Sequence, residues 1–114
     1  MPIINRKVSQ SRTGSGHPRT GSPQVFLHCK VSLGMFSSER GISVVLPSGQ
    51  KIVAFVDKRD VIVGQDPRPG EEIDGLVKVS VVTETRQSIV IDLPQPAISQ
   101  GPRIEVPPRM LQIA

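Results

Sequence analysis

The sequence predicts an all-β chain: a small antiparallel β-barrel or sandwich, SH3-like or OB-like in size, with five to six short strands. Three observations carry this. Apolar residues alternate with period two in several runs, while no stretch repeats with helical spacing. Eleven Pro and ten Gly punctuate the 114 residues, which suits short strands joined by turns better than helices. Two β-branched runs flank a turn signal at residues 42–56.

That hairpin is the most locally determined element. Ile42-Ser43-Val44-Val45-Leu46 leads into Pro47-Ser48-Gly49, and Gln50-Lys51-Ile52-Val53-Ala54-Phe55-Val56 leads out. Pro47 carries the φ that the second position of a type I turn needs, and Gly49 can take φ > 0 to close a bulged loop. A hairpin alone is marginal in water, so other strands must cover it.

Before it, residues 24–33 alternate cleanly. Val25, Leu27, Cys29, Val31 and Leu33 share one face, and Phe26, His28, Lys30 and Ser32 share the other. Cys29 therefore belongs to the core, and its neighbour His28 points away from it, which argues against a local Cys-His nucleophile pair. Residues 34–41, Gly-bounded, form a loop carrying Met35 and Phe36. These two either plug the barrel end or stand out as an anchor for a partner, and plugging is the commoner outcome for large apolar residues.

After the hairpin, Asp57-Lys58-Arg59-Asp60 makes a charged corner before Val61-Ile62-Val63. Residues 64–70, with Pro67 and Pro69, read as an extended exposed loop. Residues 73–82 are a long strand in which Gly75 suggests a bulge or bend. Residues 83–87 turn, and Ile89, Ile91 and Leu93 mark another strand. From Pro94 onward five prolines fall in 21 residues; within them Ile104 and Val106 could make a short edge strand, and the apolar end at residues 110–113 could dock on the domain or on another copy of it. The expected organisation is a disordered basic arm over 1–23, a barrel over 24–93 and a Pro-rich extended arm over 94–114.

Charge is unevenly placed. The net charge is +4 and the pI near 9.8, but Arg6, Lys7, Arg12 and Arg19 lie in the acid-free arm, while 24–93 holds eight basic residues against nine acids. The basicity belongs to the arm, where Arg12-Thr13-Gly14-Ser15 recurs as Arg19-Thr20-Gly21-Ser22. Such an arm either touches phosphates weakly and without sequence preference or only solubilises the chain. Three Phe with no Trp or Tyr leave an aliphatic core and few stacking surfaces for bases.

Cys29 is the single cysteine, so the fold does not rest on an internal disulfide, which favours a reducing compartment. No apolar run approaches the roughly 18 residues that span a bilayer, and no secretory signal pattern is present. The expectation is a cytoplasmic chain that does not enter membranes. His17, His28 and Cys29 fall short of a zinc ligand set. The acids between Asp57 and Asp74 lack the EF-hand spacing and are interrupted by Lys58, Arg59 and Arg68. Neither phosphate-binding glycine loop nor nucleophile elbow appears.

These readings predict no enzyme, no cofactor and no metal. The leading expectation is a binding or scaffold module contacting a protein partner or another copy of itself, with Met35, Phe36, Glu39 and Arg40 as the contact surface. The alternative is nucleic-acid association through Arg6, Lys7, Arg12 and Arg19.

Overall fold

The computed structural model describes residues 24–98 and 101–113. It contains eight strands: β1 (Val25–Leu33), β2 (Glu39–Val45), β3 (Lys51–Asp57), β4 (Val61–Ile62), β5 (Ile73–Glu84), β6 (Ile89–Ala97), β7 (Gly101–Val106) and β8 (Leu111–Ile113). Short 3-10 turns at Lys58–Asp60 and Pro108–Met110 lead into β4 and β8. Five strands close a ring in the order β1, β2, β3, β6, β5 and back to β1, so the all-β barrel expected from the sequence is present. The three remaining strands extend it. β4 lies beside β5, β7 beside β6, and β8 beside the first half of β1.

The alternation in β1 has a direct structural counterpart. Val25, Leu27, Cys29 and Val31 are buried in the interior, and His28 and Lys30 are exposed. Phe26 departs from the alternation: it is also buried, in register between Lys78 of β5 and Gln112 of β8. The predicted hairpin forms with Ile42 opposite Ala54 and Val45 opposite Lys51. Its turn is the expected one. The Gly49 N–H donates to the Leu46 carbonyl at 2.8 Å, and Gly49 adopts φ 95°, a conformation that favours glycine.

The interior is aliphatic: Leu27, Val31, Ile52, Ala54, Val77, Ile91 and Val106 are essentially sealed from solvent. Such side chains pack to near-crystalline density without polar groups to satisfy. β5 is long enough to serve two neighbours in the ring, pairing with β1 over Ile73 to Val79 and with β6 over Ser80 to Glu84. The irregularity in β5 falls between Val81 and Thr83 rather than at Gly75, which keeps regular register opposite Cys29. Gly75 instead marks a close approach, because a Cβ there would meet Val31, Val63 and the Ile62 carbonyl within 3 Å.

The Pro-rich stretch after Leu93 is not an arm outside the barrel. Residues 94–97 complete β6, and β7 and β8 follow, burying Ala97, Ile104, Val106 and Leu111. Pro94 and Pro96 occupy the part of β6 between Asp92 and Ala97 that has no register partner, so their missing N–H groups cost no ladder bond. That segment also closes the ring. Five straight strands cannot alternate direction at every joint, so one must turn, and β6 shifts register here before Ala97 meets Ala54. Ile98 adds a bond from its N–H to the Val53 carbonyl at 2.8 Å. The expected arm over 1–23 lies outside the described residues.

Candidate functional site

The loop joining β1 to β2 is held by a dense set of backbone bonds. The Gly34 N–H donates to the Glu39 carbonyl at 3.1 Å and the Glu39 N–H to the Phe36 carbonyl at 3.0 Å. The Glu39 side chain folds back, and its Oε1 accepts from the Met35 N–H at 2.8 Å. Gly34 makes this possible: a Cβ there would lie 2.7 Å from Glu39 Cγ. From below, Arg40 Nη1 donates to the Ser37 and Glu39 carbonyls at 3.0 and 2.9 Å. From the side, the Lys58 N–H donates to the Ser38 carbonyl at 2.8 Å.

The four residues expected to form a contact surface therefore divide. Met35 and Phe36 are 84% and 67% exposed, so they do not plug the barrel. Glu39 is half-buried and shapes the loop. Arg40 is buried, on the same parity of β2 as Ile42 and Val44, and acts as the strut beneath the loop. The Met35 and Phe36 side chains stand out from a loop whose backbone is tied at Gly34, Met35, Phe36, Ser37, Ser38 and Glu39.

Phe55 is a surface aromatic that the sequence reading passed over. It is part-exposed on the outside of β3, across Gly41, where a Cβ would come 3.4 Å from Phe55 Cε1. The signal for it lay in the alternation, since Ile52, Ala54 and Val56 on the inner face force Phe55 outward. Two of the chain's three Phe, Phe36 and Phe55, are thus on the surface.

Behind the loop lies a cleft of about 310 Å³ lined by Arg40, Lys58, Val61, Ile62, Val63 and Asp66. Arg40 Nη2 meets Asp66 Oδ1 across it at 3.3 Å. A second hollow, of about 430 Å³, opens where β2 parts from β1 at the Lys30–Ser43 pair and before β8 takes over at Leu27. Cys29 borders it, but burial pushes that thiol up to about 12, so it is a poor nucleophile at neutral pH.

Three of the six acids between Asp57 and Asp74 pair with separate cations. Asp57 pairs with Arg59 at 3.1 Å, Asp66 with Arg40, and Asp74 with Lys30 at 2.6 Å. The Lys30 ammonium holds the Asp74 carboxyl below its ordinary range, and the Arg59 backbone and side-chain donors do the same for Asp57. Among the described residues, no three of His, Cys, Asp and Glu converge in a way that could hold a metal ion. No helix there is long and apolar enough to cross a membrane. Arg6, Lys7, Arg12 and Arg19 lie outside the described residues. All ten acids of the chain and ten of its fourteen basic residues lie within them, so this part carries no net charge. No family model matches the chain, and no curated protein or solved structure does.

Proposed function

We propose that this chain is a non-catalytic binding module that contacts a protein partner through the tip of the β1–β2 loop. The observation that supports it is the combination of a loop backbone held by several hydrogen bonds with two large apolar side chains, Met35 and Phe36, left in water. An ordered loop has already lost its conformational freedom, so an association through it carries less entropic cost. Full burial of a Met or Phe side chain contributes about 1.5–3 kcal/mol each, and one aromatic anchor can dominate a small interface. Glu39 and Arg40 serve this surface by holding its shape.

The test compares the intact chain with a Met35→Ala/Phe36→Ala double variant. Both side chains are exposed, so the double variant should keep the wild-type urea midpoint while losing partner proteins recovered by crosslinking and pull-down. Sedimentation of both proteins separates a foreign partner from a second copy. Recovery of the same partners by the folded double variant would reject this surface.

A further inference from the structure

We propose that the cleft behind the β1–β2 loop binds the C-terminal end of a peptide whose last residue is aliphatic, with the terminal carboxylate held between Arg40 and Lys58. The Arg40 side chain is 8% exposed, and Asp66 is its only ion-pair partner among the described residues. Its Nη1 is committed to two loop carbonyls, but Nη2 meets Asp66 at a single 3.3 Å contact, from a carboxylate that is 73% exposed. Guanidinium–carboxylate bonds ordinarily run at about 2.7–2.9 Å and are often bidentate. A buried cation so loosely neutralised favours a better-placed anion. Lys58 lines the same cleft and makes no ion pair among the described residues. Arg40 thus meets one loosely held carboxylate in a cleft that Lys58 also lines, and a ligand carboxylate takes the position of Asp66.

The remaining wall selects the rest of the ligand. Val61, Ile62 and Val63 offer an aliphatic surface with no hydrogen-bonding side chain, which suits a branched apolar residue next to the carboxylate. At about 310 Å³ the cleft is at the small end of ligand sites, enough for a terminal residue or two. A peptide is favoured over a free acid because β4, which contributes Val61 and Ile62, pairs only with β5 among the described residues. An extended chain can continue from the cleft as an added strand on such an edge. The site uses none of the exposed tip side chains, so it stands or falls independently of the Met35–Phe36 surface.

The experiment is a fluorescence-anisotropy titration of the full chain against labelled hexapeptides ending in Val, Ile or Leu, at low salt. Free-acid peptides should bind, and their C-terminal amides should lose about tenfold or more. Lys58→Gln, which leaves the Lys58 backbone bond to Ser38 intact, should weaken binding about three- to fivefold, and Asp66→Asn should tighten it by a similar factor. The Met35→Ala/Phe36→Ala variant should bind these peptides like wild type. Equal binding of acid and amide, no binding of any of the three peptides, or wild-type affinity in a folded Lys58→Gln variant would overturn the proposal. Binding of 3-methylbutanoate as tight as that of the peptides would overturn the assignment to a peptide end.

Discussion

Gly75 of β5 lies so close to Val31 of β1 that a Cβ on it would sit 2.7 Å from Val31 Cγ2. The same Cβ would be 2.9 Å from the Ile62 carbonyl oxygen, which belongs to the β4 backbone and cannot rotate away. Gly75→Ala must therefore push β4 off β5 or distort the core, a form of overpacking that costs about 1–3 kcal/mol. Gly41 provides the contrast. Its closest obstacle is the Ser32 hydroxyl at 2.8 Å, and Phe55 follows at 3.4 Å. A hydroxyl can turn, and alanine reduces the freedom of the unfolded chain by about 0.4–1 kcal/mol. Urea midpoints should fall clearly for Gly75→Ala and change little for Gly41→Ala; equal losses would contradict this reading of the two contacts.

A chain ending at Leu93 should not fold. It would lack Ala97, Ile104, Val106 and Leu111, all buried, together with the Ala54–Ala97 pair that closes the ring. Each large-to-small loss at such sites costs about 2–5 kcal/mol, against a total stability of about 5–15 kcal/mol for a domain. Amide proton dispersion in an NMR spectrum checks this directly. A dispersed spectrum from the truncated chain would restore the Pro-rich segment to the status of an arm.

How far the sequence could be read depended on whether a signal was local. The hairpin at 42–56 and the inward face of β1 follow from turn chemistry and alternation within a few residues, and both are present, except that Leu33 at the end of that face is exposed and Phe26 of the opposite face is buried. β7 and β8 were legible only in part: Ile104 and Val106 suggest a short edge strand and residues 110–113 a docking end, but proline density argues for an arm, and only the tertiary pairing shows that Pro94 and Pro96 fall where β6 needs no donor. The sequence left open whether Met35 and Phe36 plug the barrel or stand out. Their exposure depends on Glu39 folding back and on Arg40 reaching the Ser37 carbonyl, contacts that no spacing rule encodes. The cleft joins Arg40 to Asp66, 26 positions apart.

Cys29 should be nearly inert in the native state. With the thiol pushed up to about 12 from an ordinary value of 9.0, the thiolate fraction at pH 8 falls about a thousandfold, and reactivity follows the thiolate. Reaction with a thiol-specific disulfide reagent should be slow in buffer and fast in denaturing urea. Prompt native reaction would mean that the hollow bordered by Cys29 opens readily to reagent.

Acid sensitivity should come from three surface carboxylates, Asp74 exposed and Asp57 and Asp92 half-buried, and differ among them in its response to salt. Asp57, Asp74 and Asp92 are all held below their ordinary value of 3.8, each by hydrogen bonds from a neighbouring cation: Arg59, Lys30 and Arg103. A carboxyl depressed by folding contributes stability that is fully present above its unfolded value, and that contribution is lost as pH falls through the folded one. The urea midpoint should therefore hold near neutrality and decline below about pH 4. For Asp74 and Asp92 the partner is a flexible side chain in water, so about 0.5 M NaCl should remove most of their share. Asp57 differs because its first partner is the Arg59 backbone N–H, at 2.8 Å, which caps the Lys58–Asp60 turn. That bond is short-range and fixed by the turn, so its share should persist in salt. Asp57→Asn should flatten the acid decline at both ionic strengths, whereas Asp92→Asn should flatten it only at low salt. If both variants lost their effect in salt, the Asp57 cap would contribute no more than an ordinary surface ion pair.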